Sequence, residues 1–310
     1  QNPNVKRRFL IAISFVLFFV HLSFIGQSKD SYKIKTIVID AGHGGTDIGA
    51  RGEITNEATI TLAIALKLRD RLKQVLPDTK VIMTRVTEDL PGNLTDHNDA
   101  NRLRAAIANE SKGDLFISIH VNSAERKYNT IKVGEREETY YVKKGRKKKV
   151  AKTRIVPVYK KVRIPNTITG TETYVWASNK NDLKKKYISN TAEDMYGESD
   201  SNTAKLFADP EAMIKASLRT KKFFDRSLLL AELVQEEFAK QGRRDLGVKQ
   251  RNHTGIWVLQ ATAMPSILVE TGFICTPEEE EYLDSEKGQN EVSYAIMRAI
   301  LSYKESIGKN

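Results

Sequence analysis

From residue 33 onward, short runs of apolar residues alternate with longer stretches in which apolar positions recur every three or four residues. KIKTIVID, KVIMTR, DLFISIHVN, TETYVWAS, GIWVLQ and SILVET have the length and β-branched content of strands. EATITLAIALKLRDRLKQVL puts Ile60, Ala63, Ile64 and Leu68 on one face, widened by Leu62, Leu66 and Leu72, and so predicts a buried helix. ANRLRAAIANE, FFDRSLLLAELVQEEFAKQ and EVSYAIMRAILSYKES predict three more, the last through Val292, Ile296, Ile300 and Leu301. Strands and helices in alternation predict an α/β fold: a single domain with a twisted, mostly parallel central sheet flanked by helices on both faces.

Three stretches break this pattern. Residues 125–169 are heavily basic and alternate apolar with charged residues, which predicts a β-rich insertion, a solvated hairpin or meander. Such a patch either docks on an anionic polymer or partner, or is a solvated insertion. Residues 183–222 read as irregular, polar and acidic at first and helical in pattern from Pro210. EDLPGNLTDHNDAN, ahead of the second helix, also reads as irregular.

The formal net charge of +11 favours an anionic partner: nucleic acid, a membrane surface or an acidic cell-wall polymer. Lys6, Arg7 and Arg8 precede the apolar run FLIAISFVLFFVHLSFIG, so residues 1–28 read as a signal peptide or, uncleaved, an N-terminal anchor with membrane attachment. Export removes access to the chromosome and no recognition motif is present, which argues against nucleic acid. The single cysteine, Cys275, rules out an intramolecular disulfide; followed by Thr-Pro and with no His near it in sequence, it does not read as a nucleophile.

Three apolar strands deliver groups that bind metal or move protons: TIVIDAGH brings His43, LFISIH brings His120 and SILVE brings Glu270. In an open α/β sheet the carboxyl ends of the strands form the rim where ligands bind. Glu57 joins them by opening the helix after the first strand. Two imidazoles and a carboxylate make a three-ligand zinc site with a position left for water. Glu270 is then the carboxylate that carries the proton from that water to the leaving amine. The glycines around His43 lack the spacing of a phosphate loop and instead allow positive φ and close backbone approach. Ser118 shares a strand face with His120, but no nucleophile motif or triad accompanies it.

VIDAGHGGTDIGARG, the Glu57 helix, RAAIANESKGDLFISIHVNSA, GTETYVW, SLLLAELVQEEF and VKQRNHTGIWVLQATAMPSILVETGFICTPEEEEYL together resemble the zinc-dependent N-acetylmuramoyl-L-alanine amidases of the amidase_3 type. The resemblance covers roughly residues 34–304 outside the basic insertion and makes residues 29–310 the catalytic domain. It implies one Zn2+ per chain and hydrolysis of the amide between N-acetylmuramic acid and the L-alanine of the stem peptide in peptidoglycan. That reaction serves cell-wall remodelling or daughter-cell separation. By position His43, Glu57 and His120 resemble the zinc ligands and Glu270 the catalytic glutamate, while Arg85 and Asn122 resemble cleft positions that touch substrate or support the site.

Family members that act in cell separation can carry an inserted helix that blocks the metal until an activator protein withdraws it. Residues 190–222 lie where such an element sits, and Glu193, Glu198 or Glu211 could supply an autoinhibitory carboxylate. His97 and His253 fall outside the ligand positions, and surface or loop roles are expected for both. The export signal and the lack of a separate wall-binding repeat point to a bacterial envelope, with the periplasm favoured. The competing reading is a non-catalytic cell-wall or polyanion-binding protein on an amidase scaffold, favoured by the basic insertion and opposed by the intact set of four site residues.

Overall fold

The computed structural model describes residues 33–144, 148–193 and 210–308. The apolar run at 9–26 and Glu198 lie outside them, and so does most of the stretch between residues 190 and 209. No described helix is long and apolar enough to cross a membrane.

Residues 34–303 form one compact unit. Its core sheet has six strands: β1 (Thr36–Ala41), β2 (Lys80–Met83), β3 (Leu115–Asn122), β6 (Thr171–Val175), β7 (Asp245–Gln250) and β8 (Ser266–Phe273), in the order β2-β1-β3-β8-β6-β7. β2, β1, β3 and β8 run parallel; β6 pairs antiparallel with β8, and β7 runs parallel to β6. Every residue of β1 and of β8 is buried, so both faces of the sheet are covered there. This is why TIVIDA and SILVETGF are largely apolar runs without strand alternation, in which Asp40 and Glu270 are the only ionisable residues.

The helices are α1 (Glu57–Val75), α2 (His97–Glu110), α3 (Asn181–Glu193), α4 (Pro210–Lys240), α5 (Trp257–Ala261), α6 (Pro277–Asp284) and α7 (Glu286–Gly308). Asn56 caps α1 by accepting from the Thr59 N–H at 3.1 Å, and Asp96 caps α2 by accepting from Asp99 N–H at 2.9 Å. One apolar cluster gathers Val38, Phe116, Trp176, Leu259 and Met264, with Phe224 edge-on to Trp176. Burying side chains of this size contributes about 1.5–3 kcal/mol each.

The basic insertion is a long hairpin of β4 (Lys127–Lys144) and β5 (Lys148–Ile164), antiparallel to each other and separate from the main sheet. Three local expectations are corrected. GIWVLQ is not a strand: Trp257–Ala261 is a five-residue helix, because a short apolar run has no period that separates a buried turn of helix from a strand. Residues 183–193 are helical rather than irregular, pinned by Lys184, and the DHNDAN end of the second irregular stretch already lies in α2 from His97 onward. β7 had no strand signature. It is a half-buried edge strand interrupted by Gly247 at φ 83°.

Candidate metal centre and active site

The site begins where β1 ends. The Gly42 N–H continues the ladder to Ile119 O at 3.0 Å, and a Cβ on Gly42 would lie 2.5 Å from the His120 ring. Glycine is therefore what lets the first loop pass beside the second imidazole. His43 itself adopts φ 61°, followed by Gly44 and Gly45, also at positive φ. At Gly49, with φ 65°, a Cβ would meet Glu57 Oε2 at 2.6 Å and His43 Cδ2 at 2.7 Å. The loop thus closes as a tight backbone collar around His43.

Glu57, the first residue of α1, is buried and points back into this collar. Its Oε1 accepts from the His120 Nδ1–H at 2.8 Å and the Val121 N–H at 3.0 Å, and its Oε2 from the Ala50 N–H at 2.8 Å, with His43 Nε2 at 3.2 Å. One ligand atom from each of His43, Glu57 and His120 lies within 4.8 Å of the others, the one such metal-sized cluster among the described residues. Two imidazoles and a carboxylate are donors that zinc accepts. The charges also fit. Burial opposes a charge on His43, but the hydrogen bond and charge of Glu57, with Asp47 behind, raise its pKa to about 9. Burial likewise opposes the Glu57 charge, and the two imidazoles outweigh it, holding the carboxyl far below its ordinary value. The pocket therefore favours positive charge between these side chains, a charge that a bound cation would also provide.

Glu270 sits on β8 directly opposite His120 of β3 in the parallel register. The residue is 5 % exposed, and Oε2 has no hydrogen-bond partner. Burial, reinforced by the negative charge of Glu57 and only partly offset by His120 and Arg251, lifts its pKa to about 7. A carboxyl that can hold or give up a proton near neutrality is suited to general acid–base work. Beyond it stands Glu172 of β6, opposite Glu270 in the antiparallel register and accepting from Asn122 Nδ2 at 2.5 Å, Tyr174 OH at 2.7 Å and Lys249. Arg251 lies over the Tyr174 ring and places Nη2 3.6 Å from Glu270 Oε1. His43, Glu57, His120, Asn122, Arg251, Trp257 and Glu270 line one open cleft.

The predicted residues are distributed as follows. His43, Glu57, His120, Glu270 and Asn122 meet in the cleft. Arg85 does not line it; buried at the end of β2, it donates to the carbonyls of Ala41, Gly42 and Ala58 at 2.7–3.0 Å and so supports the loop from behind. Ser118 donates to Asp40 Oδ2 at 2.6 Å beneath the site. Glu193 closes α3, Glu198 is outside the described residues, and Glu211 is exposed in the first turn of α4, paired with Lys215 at 2.5 Å. His253 is on an exposed turn. His97 is exposed and outside the ligand cluster, as expected, but it opens α2 at the cleft and shares Asp47 Oδ2 with His43, at 2.8 Å against 2.9 Å.

Four supporting groups were missed. Asp47 is one; Arg251 and Glu172 are others; the fourth is the buried pair of Asp40 with Arg104, whose Nη2 donates to His43 O at 2.6 Å. For Asp40 a signal existed, since an acid inside the apolar run TIVID needs a partner when buried. The partner on a distant helix had none.

A mostly parallel α/β sheet that gathers a metal-sized cluster and a buried carboxyl with a raised pKa at one rim has the arrangement of a hydrolytic enzyme. The Amidase_3 family, described as N-acetylmuramoyl-L-alanine amidase, matches residues 37–302. The chain belongs to this family and is an enzyme of the N-acetylmuramoyl-L-alanine amidase class. Among its relatives, an uncharacterized cell wall amidase of Bacillus anthracis is 27% identical over 278 residues, 89% of this chain and 36% of that protein. The amidase AmiC of Escherichia coli O6:H1 is 29% identical over 270 residues, 86% of this chain and 52% of that protein. The chain thus spans between about a third and a half of these two relatives, whereas it spans 88% of the uncharacterized protein YqiI of Bacillus subtilis, 27% identical over 277 residues. The fold is shared with an N-acetylmuramoyl-L-alanine amidase from Clostridium difficile 630, at TM-score 0.53 and 24% identity over 89% of this chain and 99% of that one. It is also shared with the CwlD amidase of Clostridioides difficile, solved in complex with the GerS lipoprotein, at TM-score 0.54 and 22% identity over 88% and 99% of the two chains.

Proposed function

We propose that this chain is a zinc-dependent peptidoglycan amidase that cleaves the bond between the lactyl group of N-acetylmuramic acid and L-alanine, with His43, Glu57 and His120 as the ligands of one Zn2+. The observation that carries the reading is the convergence of these three side chains beside a buried Glu270 whose Oε2 lacks a partner. His43, Glu57 and His120 would hold the zinc, which would supply Lewis acidity toward the scissile carbonyl and lower the pKa of a water molecule. Glu270 takes a proton from the attacking water and delivers it to the nitrogen as the C–N bond breaks, so that an acid and an amine leave. Asp47 orients His43 through Nδ1, and the Asp40–Arg104 pair fixes the His43 carbonyl.

Purified protein incubated with peptidoglycan should release stem peptides without chelator and none with it. Glu270→Gln should keep its zinc while losing most turnover; His43→Ala should lose the metal by elemental analysis of dialysed protein. Chelator-insensitive retention on the wall with no release would instead favour a non-catalytic binder. The reading places the protein outside the cytoplasmic membrane, in the periplasm or elsewhere in a bacterial envelope, in wall remodelling or cell separation.

A regulatory segment belongs to the same proposal. Tyr187 of α3 packs edge-on against Trp257, which lines the cleft, at 6.3 Å between ring centroids, so the described start of the 183–222 segment lies against the cleft wall. An activator that moves this segment would open the site. Replacing residues 194–209 by a Gly-Ser linker should then speed hydrolysis, and an unchanged rate would remove the segment from the mechanism.

A further inference from the structure

The hairpin β4–β5 carries a charge that the catalytic reading does not use. Residues 127–164 contain fourteen Lys or Arg and three Glu, an excess of +11 that equals the formal net charge of the whole chain, so the remainder is balanced at 36 of each sign. The enzyme body is neutral and the hairpin holds the entire excess.

The register sorts these residues onto two faces, since directly opposed residues in an antiparallel pair point the same way. Among the described side chains, the face that contains the pairs Lys127↔Ile164, Ile131↔Lys160 and Tyr140↔Lys152 carries six basic ones, eight apolar ones and one acid, Glu138. Glu138 is already held by Arg154. Ile131, Tyr140, Val162 and Ile164 are exposed on this face. A two-stranded ribbon in water is marginally stable, and here nothing from the main sheet pairs with it. A soluble polyanion would neutralise its charge but leave its aliphatic side chains in water. An anionic bilayer surface satisfies both: phosphate headgroups for the lysines and arginines, and the boundary with the acyl chains for Val, Ile and Tyr.

We propose that the β4–β5 ribbon is a docking element for the surface of an anionic phospholipid membrane. At its base Arg163 pairs with Glu53 and Arg126 donates to Arg51 O at 3.2 Å. Both partners lie on the loop between β1 and α1 that also carries His43, so the ribbon fixes the orientation of the cleft relative to the surface it binds. This inference goes beyond the amidase reading and does not depend on it, because its test reads lipid binding rather than hydrolysis.

The test is co-sedimentation of the full chain with phosphatidylcholine vesicles prepared with and without phosphatidylglycerol. The neutral vesicles register any contribution of the apolar N-terminal run, and the increment on adding anionic lipid registers the ribbon. Replacing Lys127, Lys144, Lys152 and Lys160 together by Gln should reduce that increment roughly 100-fold or more, at about fivefold for each cation near the surface. High salt should reduce it likewise. Ile131→Ser with Val162→Ser and Ile164→Ser should weaken binding to anionic vesicles while leaving binding to soluble polyphosphate unchanged. Wild-type sedimentation of the quadruple variant would overturn the proposal. So would an apolar triple variant that binds vesicles as well as wild type, which would make the ribbon a polyanion binder. Far-ultraviolet dichroism and an unchanged melting temperature exclude misfolding as the cause.

Discussion

Metal binding at this site should be coupled to proton release, and the size of the coupling follows from His43. An imidazole must be neutral to ligate, whereas burial, overcome by the charge and hydrogen bonds of Glu57 and Asp47, leaves the His43 pKa at about 9 in the metal-free protein. At pH 7 roughly 99 of 100 metal-free molecules hold that proton, so binding pays a competition penalty of about two pKa units, a ~100-fold loss of apparent affinity or ~2.7 kcal/mol. Apparent affinity should therefore rise about tenfold per pH unit from pH 6.5 and level off above pH 9. Glu57, already ionised throughout that range, adds no proton. Zinc titration calorimetry on chelator-stripped protein, repeated in buffers of different ionisation enthalpy, counts the protons released directly. About one proton assignable to His43 is expected at pH 7, diminishing toward pH 9. An affinity that is flat from pH 6.5 to 9, with no buffer dependence, would refute both the ligand assignment and the electrostatic argument beneath it.

Glu270 gives a stability signature in the same metal-free protein. Its folded pKa of about 7 exceeds the ordinary 4.5, so the stability it contributes is complete below pH 4.5 and is lost as pH rises through 7. Glu270→Gln should accordingly match wild type at pH 4.5 and exceed it by up to about 3 kcal/mol at pH 8, read from urea unfolding at the two pH values. Gly49→Ala should reduce zinc content severely, because the new methyl meets Glu57 and His43 and the backbone must hold φ 65°; the strain alone costs about 1–2 kcal/mol. Glu280, 1 % exposed on α6, accepts from the N–H groups of Glu53, Ile54 and Thr55 at 2.6–2.9 Å. Glu280→Ala should cost about 2–3 kcal/mol in a denaturant melt and loosen the loop that carries His43; an unaltered melt would mean that the loop is held elsewhere.

What the sequence makes legible here is what is local or periodic. TIVIDA, LFISIH and SILVETGF announce strands covered on both faces, and a His or Glu at the end of such a run stands out against its apolar neighbours. GIWVLQ fails because five residues complete little more than one helical turn, and DLGVKQ fails because an edge strand has only one neighbour to satisfy and tolerates a glycine kink. The supporting residues fail for a different reason. Glu280 reaches its loop across 225–227 residues of sequence, and Arg104 reaches Asp40 across 64. Both side chains sit in helices where a charged residue ordinarily reads as solvent-facing.

The same distinction explains why three carboxylates so near one another are not interchangeable. Glu57 accepts from two backbone N–H groups and faces two imidazoles, so its charge is fixed and it is suited to hold a cation. Glu172 accepts from Asn122, Tyr174 and Lys249 and so positions Asn122 at the cleft without lining it. Glu270 lies between His120 and Glu172 in register, buried, with the negative charges of Glu57 and Glu172 acting on it and Oε2 unpartnered. Residue type alone gives three glutamates. Donor count and burial suit them differently to the proposed roles of ligand, positioning group and proton carrier.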